Sequence, residues 1–161
     1  MTSTAVTPIA TGSVPSPAAP CVRSRGLRAA FSRYDYRLPH HTTAAAAARH
    51  AAKPVLASWS LDENAAYDAL LVVSELVTNA VEHALPPIAL HLEATTDPGG
   101  QTSVRINVTD GGPAPDPGPW TATCTDEEHG RGRQVVTALA DTTGTRHGAH
   151  ITDHWAALQA A

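Results

Sequence analysis

The chain has 161 residues and a formal net charge of −4 with histidine neutral, and its 11 Lys and Arg residues form no run. That length holds one domain with a respectable core, and that charge excludes a phosphate-neutralising face, so no direct contact with nucleic acid is expected. Two cysteines, Cys21 in a tail and Cys124 in a loop, exclude a disulfide framework and a four-ligand metal site; they read as free thiols in a reducing compartment. No apolar run reaches membrane-spanning length and the N-terminus lacks the basic and apolar regions of a signal peptide, so a soluble cytoplasmic protein with no membrane partner is expected.

Residues 1–32 are rich in Thr, Ser, Pro and Ala without a sustained period, and are expected to be a disordered tail; the patch Arg23, Arg25, Arg28 reads as solvated. Residues 33–161 are expected to form the folded domain. Tyr34 to Leu38 alternates up to Pro39, a short strand. Thr42 or Thr43 then caps a helix to about Ser58, with a kink or early end expected at Pro54. Ser60 to Glu63 reads as a capping box that opens a long helix, which Pro86 and Pro87 close.

This long helix separates core from chemistry. At about 100° per residue, Leu70, Val73, Val77, Ala80, Val81 and Ala84 share one side, and Asp68, Glu75, Asn79 and Glu82 the other. No Lys or Arg lies between Lys53 and Arg105, so these carboxylates lack the i, i+4 partners of a solvated face. Asn79 is a poor helix former in mid-helix. Glu75 and Asn79 stand one turn apart, where a carboxylate and an amide oxygen converge. Such a pair suits Mg²⁺ held together with phosphates, and Glu75 alone suits a base that polarises water or a hydroxyl.

Ile88 to Thr95 and Ser103 to Thr109 alternate around Asp97-Pro98-Gly99-Gly100, a hairpin. Asp110 to Glu128 is a long aperiodic loop, with Trp120 exposed in it. Gly130-Arg131-Gly132-Arg133 opens a helix over Gln134 to Ala140, and a glycine-rich entry to a helix is suited to phosphate. Asp141 to Arg146 and His150 to Leu158 read as two last strands. The order of elements implies an α+β fold with helices on one face of the sheet. His147, His150 and His154 match no zinc spacing and read as strand or turn histidines, as His83 reads as a polar residue at a helix end.

Three signals stand in one order: the acidic and amide helix face, a strand ending in Asp110-Gly111-Gly112, and a Gly-Arg-Gly turn opening a helix. Together they resemble the Bergerat-fold (GHKL) ATP-binding domains, and Ser74 to Ala84 looks like the N box of the RsbW/SpoIIAB-type anti-sigma factor serine/threonine kinases. The resemblance implies a two-layer α/β sandwich with a mixed, mainly antiparallel sheet and about three helices on one face. It implies ATP and Mg²⁺ as cofactors, a sigma factor or an anti-sigma antagonist as protein partner, and a homodimer.

Carried over by the resemblance, Asn79 is the Mg²⁺ ligand and Glu75 the catalytic base. Asp110 receives the adenine amino group, and a buried carboxylate at a strand end does need such a donor. Gly112 lets the base approach the backbone. Gly130, Arg131 and Gly132 sit at the phosphates, Arg131 by a charge-assisted contact. Glu82, His83 and Asp153 complete the nucleotide-binding set, and residues from Pro113 to His129 form a lid.

The chain departs from the family pattern in three places. Ala114 stands for a glycine between Pro113 and Pro115. Arg133 stands for a leucine that anchors the helix after the glycine turn. With Trp155 as register mark, Asp153 takes the place of a threonine that supports Asp110, and a second carboxylate there would repel the first; a slip of one residue would put Thr152 there instead. Two functions therefore follow: an ATP-dependent kinase of an anti-sigma antagonist that also holds a sigma factor, or a degenerate module that sequesters a partner without chemistry.

Overall fold

Alternation by twos sets the sheet. In β2 (Ile88–Thr96) and β3 (Thr102–Asp110), Ile88, Leu90 and Leu92 and Val104, Ile106 and Val108 turn to one face, and all six are buried. Their hairpin closes where Asp97 Oδ1 accepts the Gln101 N–H at 2.9 Å and Gly100 takes a φ of +89°. The computed structural model describes residues 30–115 and 131–160. Residues 1–29 of the expected tail, both cysteines, Gly130, Trp120 and most of the expected lid lie outside the described residues, while residues 30–32, expected in the tail, are strand.

β1 (Ala30–Leu38) pairs with β2 and is longer than the expected Tyr34 to Leu38. β5 (Thr152–Ala160) pairs with β3, and β4 (Thr142–His147) with β5. The sheet order is β1-β2-β3-β5-β4, and every pairing among the described residues is antiparallel. Among the described residues three helices, α1 (Ala44–Ser58), α2 (Glu63–His83) and α3 (Arg131–Leu139), cover one face, so the fold is the expected two-layer α+β sandwich.

The helix starts are set differently from the sequence reading. α2 is capped by Asp62, whose Oδ1 accepts the N–H groups of Asn64 and Ala65 at 2.9 and 3.0 Å. Ser60 cannot form a capping box, because it lies outside the N-cap position with a φ of 54°. α1 runs through Pro54 without ending. An interior proline costs about 3 kcal/mol, and Ala48, Ala52, Val55 and Leu56, buried on both sides of it, offset that.

α2 sits at the centre. Its buried arc is wider than expected, adding Ala69, Val72 and Leu76 to Val73, Val77, Ala80 and Val81. Asp68, Glu75, Asn79 and Glu82 are half-buried rather than solvated, since α1 and α3 flank the helix.

Candidate functional site

β3 ends on a carboxylate that has almost no contact with solvent. Asp110 is 1% exposed, and its Oδ1 accepts the Gly112 N–H at 2.8 Å. Its Oδ2 lies 3.2 Å from His154 Nε2, within ion-pair range. The two form no hydrogen bond, however, and Oδ2 is left without one among the described residues. A buried oxygen in that state costs about 1–3 kcal/mol unless a donor meets it.

The turn after Asp110 is tied to the end of α2. Leu85 N–H donates to Gly112 O at 2.8 Å, Gly111 N–H to Leu85 O at 2.7 Å, and Ala114 N–H to His83 O at 2.9 Å. Gly111 is required by this closeness, because an added Cβ would overlap the carbonyl oxygen of Pro86 and lie 2.8 Å from that of Leu85. Gly112 is required by conformation, with a φ of +89°, and a Cβ there would meet nothing within 4 Å. The backbone beside Asp110 is therefore both left-handed and open.

β5 and β4 add a polar patch on the same side of the sheet. Thr152 is the strand partner of Asp110 and is buried. His154 Nδ1 lies 3.1 Å from Thr145 Oγ1, and His147 Nδ1 lies 3.5 Å from Thr152 Oγ1. Asp110, Thr152, His154 and His147 line a cavity of about 700 Å³, closed on the helical side by Asn79 and His83 of α2 and Arg133 of α3.

Further along α2, Glu75 meets the first turn of α3. A Cβ added at Gly132 would overlap Glu75 Oε2 and lie 3.9 Å from Asn79 Oδ1. The missing side chain is thus what lets α3 approach both polar residues of α2. The helix expected to lack an apolar anchor has one: Arg133 is exposed, and Val136, one turn on, is buried in the core.

Of the sequence-predicted residues, Asn79, His83 and Asp110 share the cavity, and Glu75 and Gly132 are in contact beside it. Gly112 supports Asp110 directly. Glu82 does not line the cavity; its Oε2 lies 3.7 Å from His83 Nε2. Asp153 is a correction. It pairs with Thr109, one residue out of step with Asp110, so the period of two turns it to the opposite face of the sheet, away from the cavity. The threonine beside Asp110 is Thr152, and among the described residues no second carboxylate stands beside it on that face. Gly130 and the Arg131 side chain lie outside the described residues.

Two site residues escaped the sequence reading, His154 and His147. The available signal was the same period of two: once Thr152 is set opposite Asp110, His154 must face the same way.

A family model described as the histidine kinase-like ATPase domain matches residues 38–153. The chain belongs to the histidine kinase-like ATPase domain family. Among solved structures, this ATPase domain is similar to the RsbU and RsbW domains of Rv1364c from Mycobacterium tuberculosis, with 23% identity and a TM-score of 0.55. The match covers 79% of this chain and 32% of that one, so the chain spans about a third of that protein's solved length. No curated protein matches. The likeness bears on the fold, which is the Bergerat fold.

An ATP-binding domain family implies ATP, typically with Mg²⁺, and the residues present fit both. Among the described residues no hydrogen bond reaches the buried acceptor Asp110 Oδ2, which faces a cavity of nucleotide size. Asn79 lines the same cavity with an amide oxygen of the kind that binds Mg²⁺. Among the described residues no helix is long and apolar enough to cross a membrane.

Proposed function

We propose that this ATPase domain is a regulatory protein that binds Mg·ATP in the cavity between α2, α3 and the β3-β5-β4 half of the sheet. In this reading it phosphorylates a serine or threonine of an anti-sigma antagonist, and it holds a sigma factor when the antagonist does not. The observation that carries the reading is the unspent Oδ2 of Asp110, buried at a cavity whose helical wall carries Asn79.

Each residue has a task within that reading. Asp110 accepts the adenine amino group, and the open backbone at Gly112 leaves room for the base. Asn79 would hold Mg²⁺ through its amide oxygen, and the ion would supply positive charge to offset that of the phosphates. Gly130, Arg131 and Gly132 supply N–H groups and positive charge to the phosphates. Glu75 takes the proton of the attacking hydroxyl as its oxygen bonds to the γ-phosphorus and ADP leaves.

A second reading, sequestration without phosphoryl transfer, is favoured by one observation. Ala114, in place of a family glycine, has its N–H committed to His83 O, which ties this wall of the site to α2. Transfer of labelled γ-phosphate to purified antagonist proteins separates the two. The kinase reading expects label with the wild type and a rate reduced at least about a hundredfold in Glu75→Gln, with ATP affinity kept. Stable capture of a sigma factor or antagonist with no transfer leaves the sequestering module.

A further inference from the structure

Asp110 Oδ2 and His154 Nε2 stand 3.2 Å apart on one wall of the cavity, and neither spends a hydrogen bond on the other. Asp110 is an acceptor. His154 is held from behind by Thr145 Oγ1, 3.1 Å from Nδ1. When that hydroxyl donates to Nδ1, the ring proton resides on Nε2, the atom beside Asp110. The His154 side chain keeps 36% of its surface exposed while Asp110 keeps 1%, so the histidine is the more accessible member of the pair.

An acceptor beside a donor is the complement of one edge of adenine, whose N6 amino group donates and whose neighbouring N1 accepts. Guanine presents the reverse order, a carbonyl oxygen and an N–H. It would set an acceptor against Asp110 and a donor against His154, leaving buried polar groups unpaired.

We propose that His154 is a specificity-determining residue of the base subsite, donating from Nε2 to N1 of adenine while Asp110 accepts from N6. This rests on the reading of Asp110 as the adenine acceptor and adds a second contact to it. Thr145 acts through His154 as a positioning residue. His147, His83 and Arg133, the other titratable or charged residues lining the cavity, are not part of the pair.

The test is calorimetric titration with ADP and with GDP of the wild type, His154→Gln, His154→Val and Asp110→Ala, each checked for folding by circular dichroism. The wild type is expected to prefer ADP by on the order of a hundredfold. His154→Val removes the donor and is expected to lose about tenfold in ADP affinity with GDP affinity unchanged; His154→Gln, which can place an amide N–H near the same point, is expected to recover most of the loss. Unchanged or tighter ADP binding by His154→Val would show that the histidine ignores or competes with the base, and equal losses for ADP and GDP would show a merely structural role. Either result overturns the proposal while leaving Asp110 as the acceptor. Undiminished ADP binding by Asp110→Ala would overturn the underlying reading, and this proposal with it.

Discussion

Asp110 and Thr152 face each other across β3 and β5, and both side chains are buried on the helix-covered side of the sheet. Directly opposed side chains in an antiparallel pair have Cβ atoms about 5 Å apart, so Thr152 is the hydroxyl available to support Asp110. Thr152→Val is expected to weaken ATP binding by about threefold to tenfold. Asp153→Ala, on the far face, is expected to leave it unchanged. Isothermal titration of both variants checks this, and the opposite ranking would return Asp153 to the site.

Gly111 and Gly132 exclude side chains for different reasons, so alanine should act differently at the two. At Gly111 the obstruction is backbone, the carbonyls of Leu85 and Pro86. Gly111→Ala is expected to destabilise the fold by about 1–3 kcal/mol, read from urea denaturation. At Gly132 the obstruction is the end of the Glu75 side chain, which can move. Gly132→Ala is expected to displace Glu75 with little loss of stability and to impair phosphoryl transfer more than ATP binding, checked by comparing transfer rate with ATP affinity.

The helix-free face of the sheet carries a charged cluster with a pH signature. The His91 ring, hydrogen-bonded to Asp35, holds the Asp35 carboxyl below its ordinary value of 3.8 against the opposing effect of burial, and Arg33, whose Nε lies 3.0 Å from it, lowers it further. A carboxyl lowered in the folded state adds stability above that ordinary value and loses it as pH falls through the lowered one. Denaturation curves between about pH 2 and pH 5 are therefore expected to fall more steeply for the wild type than for Asp35→Asn. With Asp35 53% exposed, the difference should be small and should shrink with added salt.

Part-buried contacts also join the helical layer. Arg49 of α1 donates to Ser74 Oγ of α2 at 3.0 Å, and that hydroxyl donates to Leu70 O at 2.9 Å. Because Ser74 adjoins Glu75, Arg49→Ala is expected to cost about 1 kcal/mol in stability and, if the helices shift, to lower transfer. Thermal denaturation alongside the transfer assay measures both.

What could be read from the sequence follows from how local each feature is. The face shared by Glu75 and Asn79 depends only on the helical repeat within α2, and the strand alternation from Ile88 to Asp110 depends only on the pleat. Both appear in the fold as expected. The start of α2 was misread because Ser60 and Asp62 carry similar capping chemistry, and what decides between them is backbone conformation, φ 54° at Ser60 against the extended φ of −62° and ψ of 161° at Asp62. The choice between Asp153 and Thr152 stays open in the sequence because the register of β5 on β3 joins segments about forty residues apart, and a slip of one residue exchanges the faces. His154 was passed over for the same reason, since its neighbour Asp110 comes from another strand.

The most direct test of the central claim is calorimetric titration of the protein with ATP, with and without Mg²⁺, beside Asp110→Ala. The account predicts saturable binding that Mg²⁺ strengthens and that Asp110→Ala weakens by at least about tenfold while remaining folded. ATP binding undiminished in Asp110→Ala, or no heat from the folded wild type at about millimolar ATP, would contradict it.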